Sequence, residues 1–120
     1  MPTEKREFHR ISIACKIAIV FKDSRLTVNA HTENISAGGI MLILESESDP
    51  LVSALVNLDL FLWHDKKPLK GKAELMWLNE ITPLEVRPRL FNVGLKFIEI
   101  SDVDKDKIKN FVNGVISSWQ

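Results

Sequence analysis

Apolar and polar residues alternate with a period of two through much of the chain, which is the pattern of half-buried β-strands. In the first such run, every second residue from Ile11 to Phe21 is apolar. Stretches rich in turn-forming residues, such as Lys22 to Arg25, separate the runs. The alternating runs predict strands near residues 11–21, 26–34, 56–62, 69–77 and 91–97.

A further strand is predicted from Gly39 to Glu45. This segment is almost wholly apolar, so we expect it to be buried on both faces. Residues 79–89 contain Pro83 and Pro88 and therefore predict a loop. Six strands that are mostly joined by short turns predict a small antiparallel barrel, because closing the sheet leaves no exposed edge strand.

The last twenty residues change to a helical period, with apolar residues at i, i+3, i+4, i+7 and i+11. Ser101 with Asp104 three residues later resembles a capping box. We therefore expect a helix over about residues 101–119 that packs on the barrel. The predicted fold is mainly β, a six-stranded antiparallel barrel with a C-terminal α-helix. The apolar stripe of the helix consists of Ile108, Phe111, Val112, Val115 and Trp119.

The composition fits one soluble domain. The chain has 120 residues, 45% of them hydrophobic, with 16 basic and 16 acidic residues. A neutral chain is not expected to bind duplex nucleic acid through its overall charge. No apolar run is long enough to cross a membrane, and the N-terminus lacks the apolar segment of a secretory signal. With Cys15 as the single cysteine, the chain is predicted to be cytoplasmic, with neither membrane nor nucleic acid as a partner.

The zero net charge conceals blocks of like charge. Residues 1–22 and 66–96 carry an excess of basic residues, whereas residues 23–65 carry an excess of acidic ones. Such blocks are able to form a local positive site on a neutral protein, although ordinary surface variation produces the same pattern.

The sequence contains no catalytic or metal-binding constellation. His9, His31 and His64 are far apart and have no ligand spacing. Cys15 falls within a predicted strand, where a thiol is usually a small core residue rather than a nucleophile. The glycine fingerprints of nucleotide-binding enzymes are also missing. We therefore expect no enzymatic activity, no metal and no cofactor.

Two short motifs remain as candidates for the function. The first is Arg6-x-x-x-Arg10, just before the first predicted strand, and the second is Asn34-x-Ser36-x-x-Gly39, between the second and third strands. Each motif is weak when taken alone. Two arginines four residues apart are common on solvated surfaces, and the second motif by itself is usually only a turn.

Together, in this order and on a barrel pattern, the motifs resemble those of the PilZ domain, the bacterial receptor module for cyclic di-GMP. The resemblance extends to the strand from Ala73 to Trp77, the strand from Val93 to Phe97 and the C-terminal helix. Asn34 stands where the family has Asp or Asn. The resemblance implies a PilZ barrel domain over residues 11–120. Residues 1–10 have Phe8 as their only apolar anchor, so we expect a flexible segment that wraps the ligand.

The resemblance also implies which residues contact the ligand. Arginine is able to hold a phosphate or the O6 and N7 atoms of guanine with its planar fork. The two glycines lack a Cβ, so we expect close approach to the ligand and positive φ angles. Asn34 matches the donors on guanine less well than Asp does, which predicts ordinary affinity. The expected contacts are Arg6, Arg10, Asn34, Ser36, Gly38 and Gly39, with Lys5 and Trp77 as further candidates.

The expected function is that of a cyclic di-GMP receptor, as a monomer or a homodimer. Ligand binding would order the N-terminal segment and signal in trans to an unidentified effector protein in motility, adhesion or biofilm control. One alternative is a PilZ-like interaction module that binds no nucleotide, but the intact motifs argue against it. The other is a small barrel that binds single-stranded nucleic acid, and the aromatic residues are spaced as a core rather than as the binding groove this requires.

Overall fold

Six antiparallel strands close into a barrel, and one helix follows them. The fold is known from a computed structural model, which describes residues 10–22, 27–46, 52–62 and 66–118. The predicted fold class is therefore confirmed, while the segment expected to wrap the ligand lies, except for Arg10, outside the described residues. The elements are β1 (Lys16–Phe21), β2 (Thr27–Ser36), β3 (Gly39–Glu45), β4 (Leu55–Phe61), β5 (Leu69–Glu80), β6 (Leu90–Ile100) and α1 (Asp102–Ser118).

The order of the strands around the barrel is β1-β2-β3-β6-β5-β4. Pairing of β1 with both β2 and β4 closes the sheet. Pairing of β3 with β6 places the turn between β2 and β3 beside the middle of β6. Two segments that are far apart in the sequence, residues 34–41 and 94–96, therefore lie next to each other on the outer surface.

Alternate residues of each strand fill the interior of the barrel, as the period-two pattern predicts. The expectation that β3 is buried on both faces is wrong, because only one face of a barrel strand points inward. Met41 and Ile43 on its outer face are only half-buried. The buried side chains of β3, β4 and β6 are Ile40, Leu42, Leu44, Val56, Leu58, Leu60, Phe91, Val93 and Leu95.

The first strand is shorter than the sequence predicts, since β1 begins at Lys16. Ile11 instead forms an isolated bridge with Ile35, in which the two amides donate to the two carbonyls at 3.0 and 2.9 Å. The Cys15 amide donates to the hydroxyl of buried Thr32 at 2.9 Å. Residues 11–15 are thus attached to β2 by individual hydrogen bonds rather than by a continuous strand ladder. The side chains of Ile11 and Cys15 are nevertheless buried in the core.

A β-bulge in β5 changes the direction of Trp77. The register passes from Leu75 opposite Leu95 to Trp77 opposite Gly94, so Met76 is an extra residue in β5. An extra residue reverses the alternation of side chains. In an unbroken strand Trp77 would share the face of buried Leu75, whereas with the bulge it faces outward and is 41% exposed.

The C-terminal helix begins where its cap predicts. The Asp104 amide donates to the Ser101 hydroxyl at 3.1 Å, which satisfies one of the unpaired amides of the first turn. Ile108, Val112 and Val115 of the apolar stripe are buried in the common core, while Trp119 lies outside the described residues. Within the part of the chain that the structure describes, no helix is long and apolar enough to span a membrane.

Candidate functional site

An open pocket of about 310 Å³ lies on the outer surface of the barrel, across β2, β3, β6 and β5. We call it the Arg10–Trp77 pocket after residues at its two ends. It brings together every predicted contact residue that the structure describes, namely Arg10, Asn34, Ser36, Gly38, Gly39 and Trp77. Lys5 and Arg6 lie outside the described residues, so their place at this site stays a prediction.

Strand register explains why these residues meet. Residues that are register partners on adjacent strands lie side by side across the sheet. Outward-facing residues of four strands therefore form two parallel rows across the barrel. One row consists of Asn34, Met41, Gly94 and Trp77, and the other of Ser36, Gly39 and Lys96.

Arg10 reaches the pocket through the bridge that follows it. Because Ile11 is paired with Ile35, Arg10 is held beside the end of β2, where Ser36 begins the turn. Its side chain is exposed. The guanidinium has no carboxylate partner within the described residues. Its five donors are therefore available to an anionic group.

The Ser36 hydroxyl holds the turn between β2 and β3. It accepts hydrogen bonds from the amides of Gly38 and Gly39, both at 3.2 Å, and it lies 3.3 Å from the Gly39 carbonyl, to which it donates. A hydroxyl has one donor and two acceptor positions, so the turn uses all three. In this structure Ser36 therefore shapes the turn that lines the pocket, and its expected contact with a ligand stays a prediction.

Gly39 is required for close approach between strands. A Cβ at this position would overlap the carbonyl oxygen of Leu95 in β6, so any larger residue would force β3 and β6 apart. The expectation of positive φ at Gly38 and Gly39 is wrong, because no glycine among the described residues has positive φ. The turn is closed instead by the Ser36 hydrogen bonds and by the Phe97 amide, which donates to the Gly38 carbonyl at 3.1 Å.

Asn34 is half-buried at the side of the pocket. Its Nδ2 lies 3.8 Å from the sulfur of Met41, its neighbour on β3. A thioether is a weak acceptor, so this contact directs the amide nitrogen toward Met41 without using the carbonyl oxygen. That oxygen is left as an acceptor for the donors of a ligand.

The indole of Trp77 closes the far end of the pocket. It lies against Gly94, and a Cβ at Gly94 would overlap its Nε1 and Cε2 atoms. The absence of a side chain at Gly94 therefore gives the ring a flat place to rest. With 41% of its surface exposed, Trp77 offers an aromatic face to a planar ligand.

The pocket has a positive character despite the neutral charge of the chain. Its described lining contains the cations Arg10 and Lys96 and no carboxylate. Within the described parts of the chain, moreover, no group of His, Cys, Asp and Glu side chains is placed to hold a metal ion. The arrangement suits an organic anion with flat rings, because it combines an amide and an indole with two cations that form no ion pair among the described residues.

Sequence reasoning missed six lining residues, which are Ile40, Met41, Met76, Gly94, Leu95 and Lys96. The outward position of Lys96 was visible in the alternation around Leu95 and Phe97. The alternation of apolar and polar residues did not show that β6 pairs with β3. This pairing brings Lys96 to the turn between β2 and β3. Met76 enters the lining through the bulge, and no local signal in the sequence marks that bulge.

The family model of the PilZ domain matches residues 4–114 of this chain. No curated protein sequence matches this chain significantly. The matched range includes both motifs and all of the residues that line the Arg10–Trp77 pocket.

Solved structures share the fold at low sequence identity. The inhibitor of motility MotI/DgrA of Bacillus subtilis has a TM-score of 0.76 and 15% identity, with 97% of this chain and 53% of that chain covered. The PilZ domain of Escherichia coli YcgR with cyclic di-GMP has a TM-score of 0.73 and 12% identity, with 96% and 94% covered.

The complex of Klebsiella pneumoniae MrkH with cyclic di-GMP gives a TM-score of 0.71 at 14% identity, with 97% of this chain and 54% of that chain covered. This chain thus spans about half the length of MotI/DgrA and of MrkH. At such identities the similarity concerns the fold alone.

Proposed function

This chain belongs to the PilZ domain family, and we propose that it is a receptor that binds cyclic di-GMP in the Arg10–Trp77 pocket. The observation that carries the proposal is the composition of this one pocket. Both motifs contribute to it, through Arg10 and through the segment from Asn34 to Gly39. YcgR and MrkH, which share the fold, are bound to cyclic di-GMP in their structures.

The chemistry of the ligand matches that of the pocket. Cyclic di-GMP carries two phosphates and two guanines. The Arg10 guanidinium is suited to a phosphate or to the O6 and N7 edge of a guanine. Trp77 provides a surface on which a base stacks. The carbonyl oxygen of Asn34 accepts from the N1 and N2 donors of a guanine.

The energies require several contacts to act together. A hydrogen bond to a charged group contributes about 1.5–3 kcal/mol, and a base stacked on an aromatic side chain contributes about 1–3 kcal/mol. Micromolar affinity corresponds to about 8 kcal/mol. Arg10 and Trp77 are therefore not sufficient by themselves, and Arg6 is proposed as a second arginine of the same site.

We expect ligand binding to be coupled to the N-terminal residues. If Arg6 and Arg10 hold one ligand together, the backbone between them is fixed against the barrel when the ligand binds. Hydrogen exchange at residues 4–10 should then become slower in the presence of cyclic di-GMP. Unchanged exchange at saturating ligand would rule out this coupling.

The proposed consequence of binding is a signal to an effector protein in trans. An ordered segment beside the pocket changes the surface that a partner meets. Control of motility is the proposed process, since MotI/DgrA, which has the same fold, is an inhibitor of motility. Adhesion and biofilm formation are the other processes in which such a receptor would act.

Calorimetric titration of the chain with cyclic di-GMP, GTP and a single-stranded oligonucleotide tests the receptor function. We expect saturable binding of cyclic di-GMP and much weaker binding of GTP and of the oligonucleotide. Binding of none of them would leave a PilZ-like interaction module as the function. Preferential binding of the oligonucleotide would instead favour a nucleic-acid-binding barrel.

A further inference from the structure

Lys96 stands beside the turn that forms the floor of the pocket. Its register partner on β3 is Gly39, across the closest approach of the two strands. The amide of the next residue, Phe97, donates to the carbonyl of Gly38 at 3.1 Å. The backbone of Lys96 is therefore fixed to the turn, and its side chain lines the Arg10–Trp77 pocket.

The ammonium group of Lys96 has no acidic partner among the described residues. On the neighbouring strand, Lys70 pairs with Asp59 at 3.1 Å and Lys72 pairs with Glu99 at 3.3 Å. Glu74 is the register partner of Lys96 on β5, yet no ion pair forms between them or with any other described residue. The lysines on the outer surface of β5 are thus paired with acids, whereas exposed Lys96 on β6 has no acidic partner in the described part of the chain.

Arg10 and Lys96 reach the pocket from different elements. Arg10 comes from the segment paired with β2, and Lys96 comes from β6, with β3 between them. Two separated cations suit a ligand with two separated anionic groups. A lysine ammonium is a compact point charge with three donors, which suits a phosphate oxygen.

We propose that Lys96 binds one phosphate group of the cyclic dinucleotide and thereby makes the site selective for a ligand with two charged phosphates. This inference rests on the proposed function of the pocket. It assigns to β6 a binding residue that lies outside the two motifs.

The test is calorimetric titration with cyclic di-GMP of the unchanged chain and of the variants Lys96→Gln, Lys96→Arg and Lys70→Gln. Lys70→Gln is the matched control, because it removes a lysine from the same outer surface but not from the pocket. Thermal unfolding of each variant verifies that it is folded. The titrations are made at about 50 mM and about 500 mM salt, since the higher concentration screens exposed charges.

We expect Lys96→Gln to weaken binding about tenfold at low salt, the loss of roughly one charge-assisted hydrogen bond. The loss should shrink at high salt, Lys96→Arg should retain most of the affinity, and Lys70→Gln should bind as the unchanged chain does. If the unchanged chain binds and Lys96→Gln binds equally well, the role of Lys96 is refuted while the receptor function stands. A loss of equal size at both salt concentrations would refute the contact with a phosphate. If the unchanged chain does not bind, the receptor function fails as well.

Discussion

The indole of Trp77 rests on Gly94, its register partner across β5 and β6, with no room for a Cβ between them. The contact exists because the bulge at Met76 turns Trp77 outward onto the one residue of β6 that has no side chain. The glycine therefore supports an aromatic surface at the end of the pocket. The contribution of this aromatic surface to ligand affinity depends on the position of the indole ring.

Gly94→Ala should displace the indole and weaken the binding of cyclic di-GMP at least about fivefold, the lower end of what a stacked base contributes. The core stays intact, because the added methyl group would meet the ring on the outer surface and not a buried residue. Titration calorimetry measures the loss, and Trp fluorescence follows the change around the ring.

Gly114→Ala provides the matched control for this substitution. A Cβ at Gly114 meets nothing within 4 Å, and alanine in a helix is favoured over glycine by about 1 kcal/mol. We expect this variant to unfold at a higher temperature and to bind the ligand normally. Equal affinity of Gly94→Ala and the unchanged chain would show that the position of the ring does not matter.

Arg10→Ala should weaken binding of cyclic di-GMP at least about tenfold, or roughly 1.4 kcal/mol. The cause is the loss of an exposed guanidinium that has no competing carboxylate among the described residues. We expect the same loss for Arg6→Ala, on the basis of the motif. Arg87→Ala, in the loop outside the pocket, is the control and should leave the Kd unchanged.

Asn34→Asp should tighten binding severalfold. A carboxylate accepts from both donors of a guanine edge, whereas the amide offers one oxygen. Asn79→Asp adds the same charge on β5 outside the pocket and should have no such effect. Weaker binding by Asn34→Asp in a titration would contradict this geometry, since it would mean that the amide donates to the ligand.

The loop after β5 predicts a pH dependence of stability. Arg89 donates to both carboxylate oxygens of Glu80, at 2.9 and 2.8 Å, and Thr82 donates to one of them at 2.9 Å. These hydrogen bonds, first that from Arg89, lower the pKa of Glu80 from 4.5 to about 2. Because the pKa of Glu80 is lower in the folded than in the unfolded chain, the ionised carboxylate stabilises the folded state at pH values above the unfolded-state pKa. This stabilisation is lost as the pH falls toward the folded-state pKa.

Thermal unfolding of the unchanged chain and of Glu80→Gln between about pH 6 and pH 2 measures this contribution. The difference in Tm between them should be largest near pH 6 and should shrink below about pH 4.5. Glu85→Gln, in the loop that follows β5 but without an ion pair among the described residues, is the control. A constant difference between Glu80→Gln and the unchanged chain would contradict the account.

Local pattern was sufficient to predict the barrel, most of its core-facing positions and the capped helix. In each case the relevant signal lies within a few consecutive residues, such as the alternation from Val56 to Leu62 or the pair Ser101 and Asp104. The motifs likewise identified Arg10, Asn34, Ser36, Gly38 and Gly39 of the pocket, and the family resemblance added Trp77.

The features that local pattern did not predict depend on pairing between distant strands. Lys96 becomes part of the pocket because β6 lies beside β3, and neither segment carries a signal for the other. Trp77 turns outward only because the ladder with β6 shifts by one residue. Gly39 was predicted to have a positive φ, but it does not. A Cβ there would overlap the carbonyl oxygen of Leu95, so the glycine allows β3 and β6 to approach each other.

The central claim is that the Arg10–Trp77 pocket is the cyclic di-GMP site, and mapping of backbone amide shifts during an NMR titration tests it most directly. We predict that the largest shifts fall on Arg10, on residues 34–41, on Met76 and Trp77, and on residues 94–96. Shifts concentrated instead around the paired charges of Asp59, Lys70 and Glu99, or no shifts at saturating ligand, would contradict the claim.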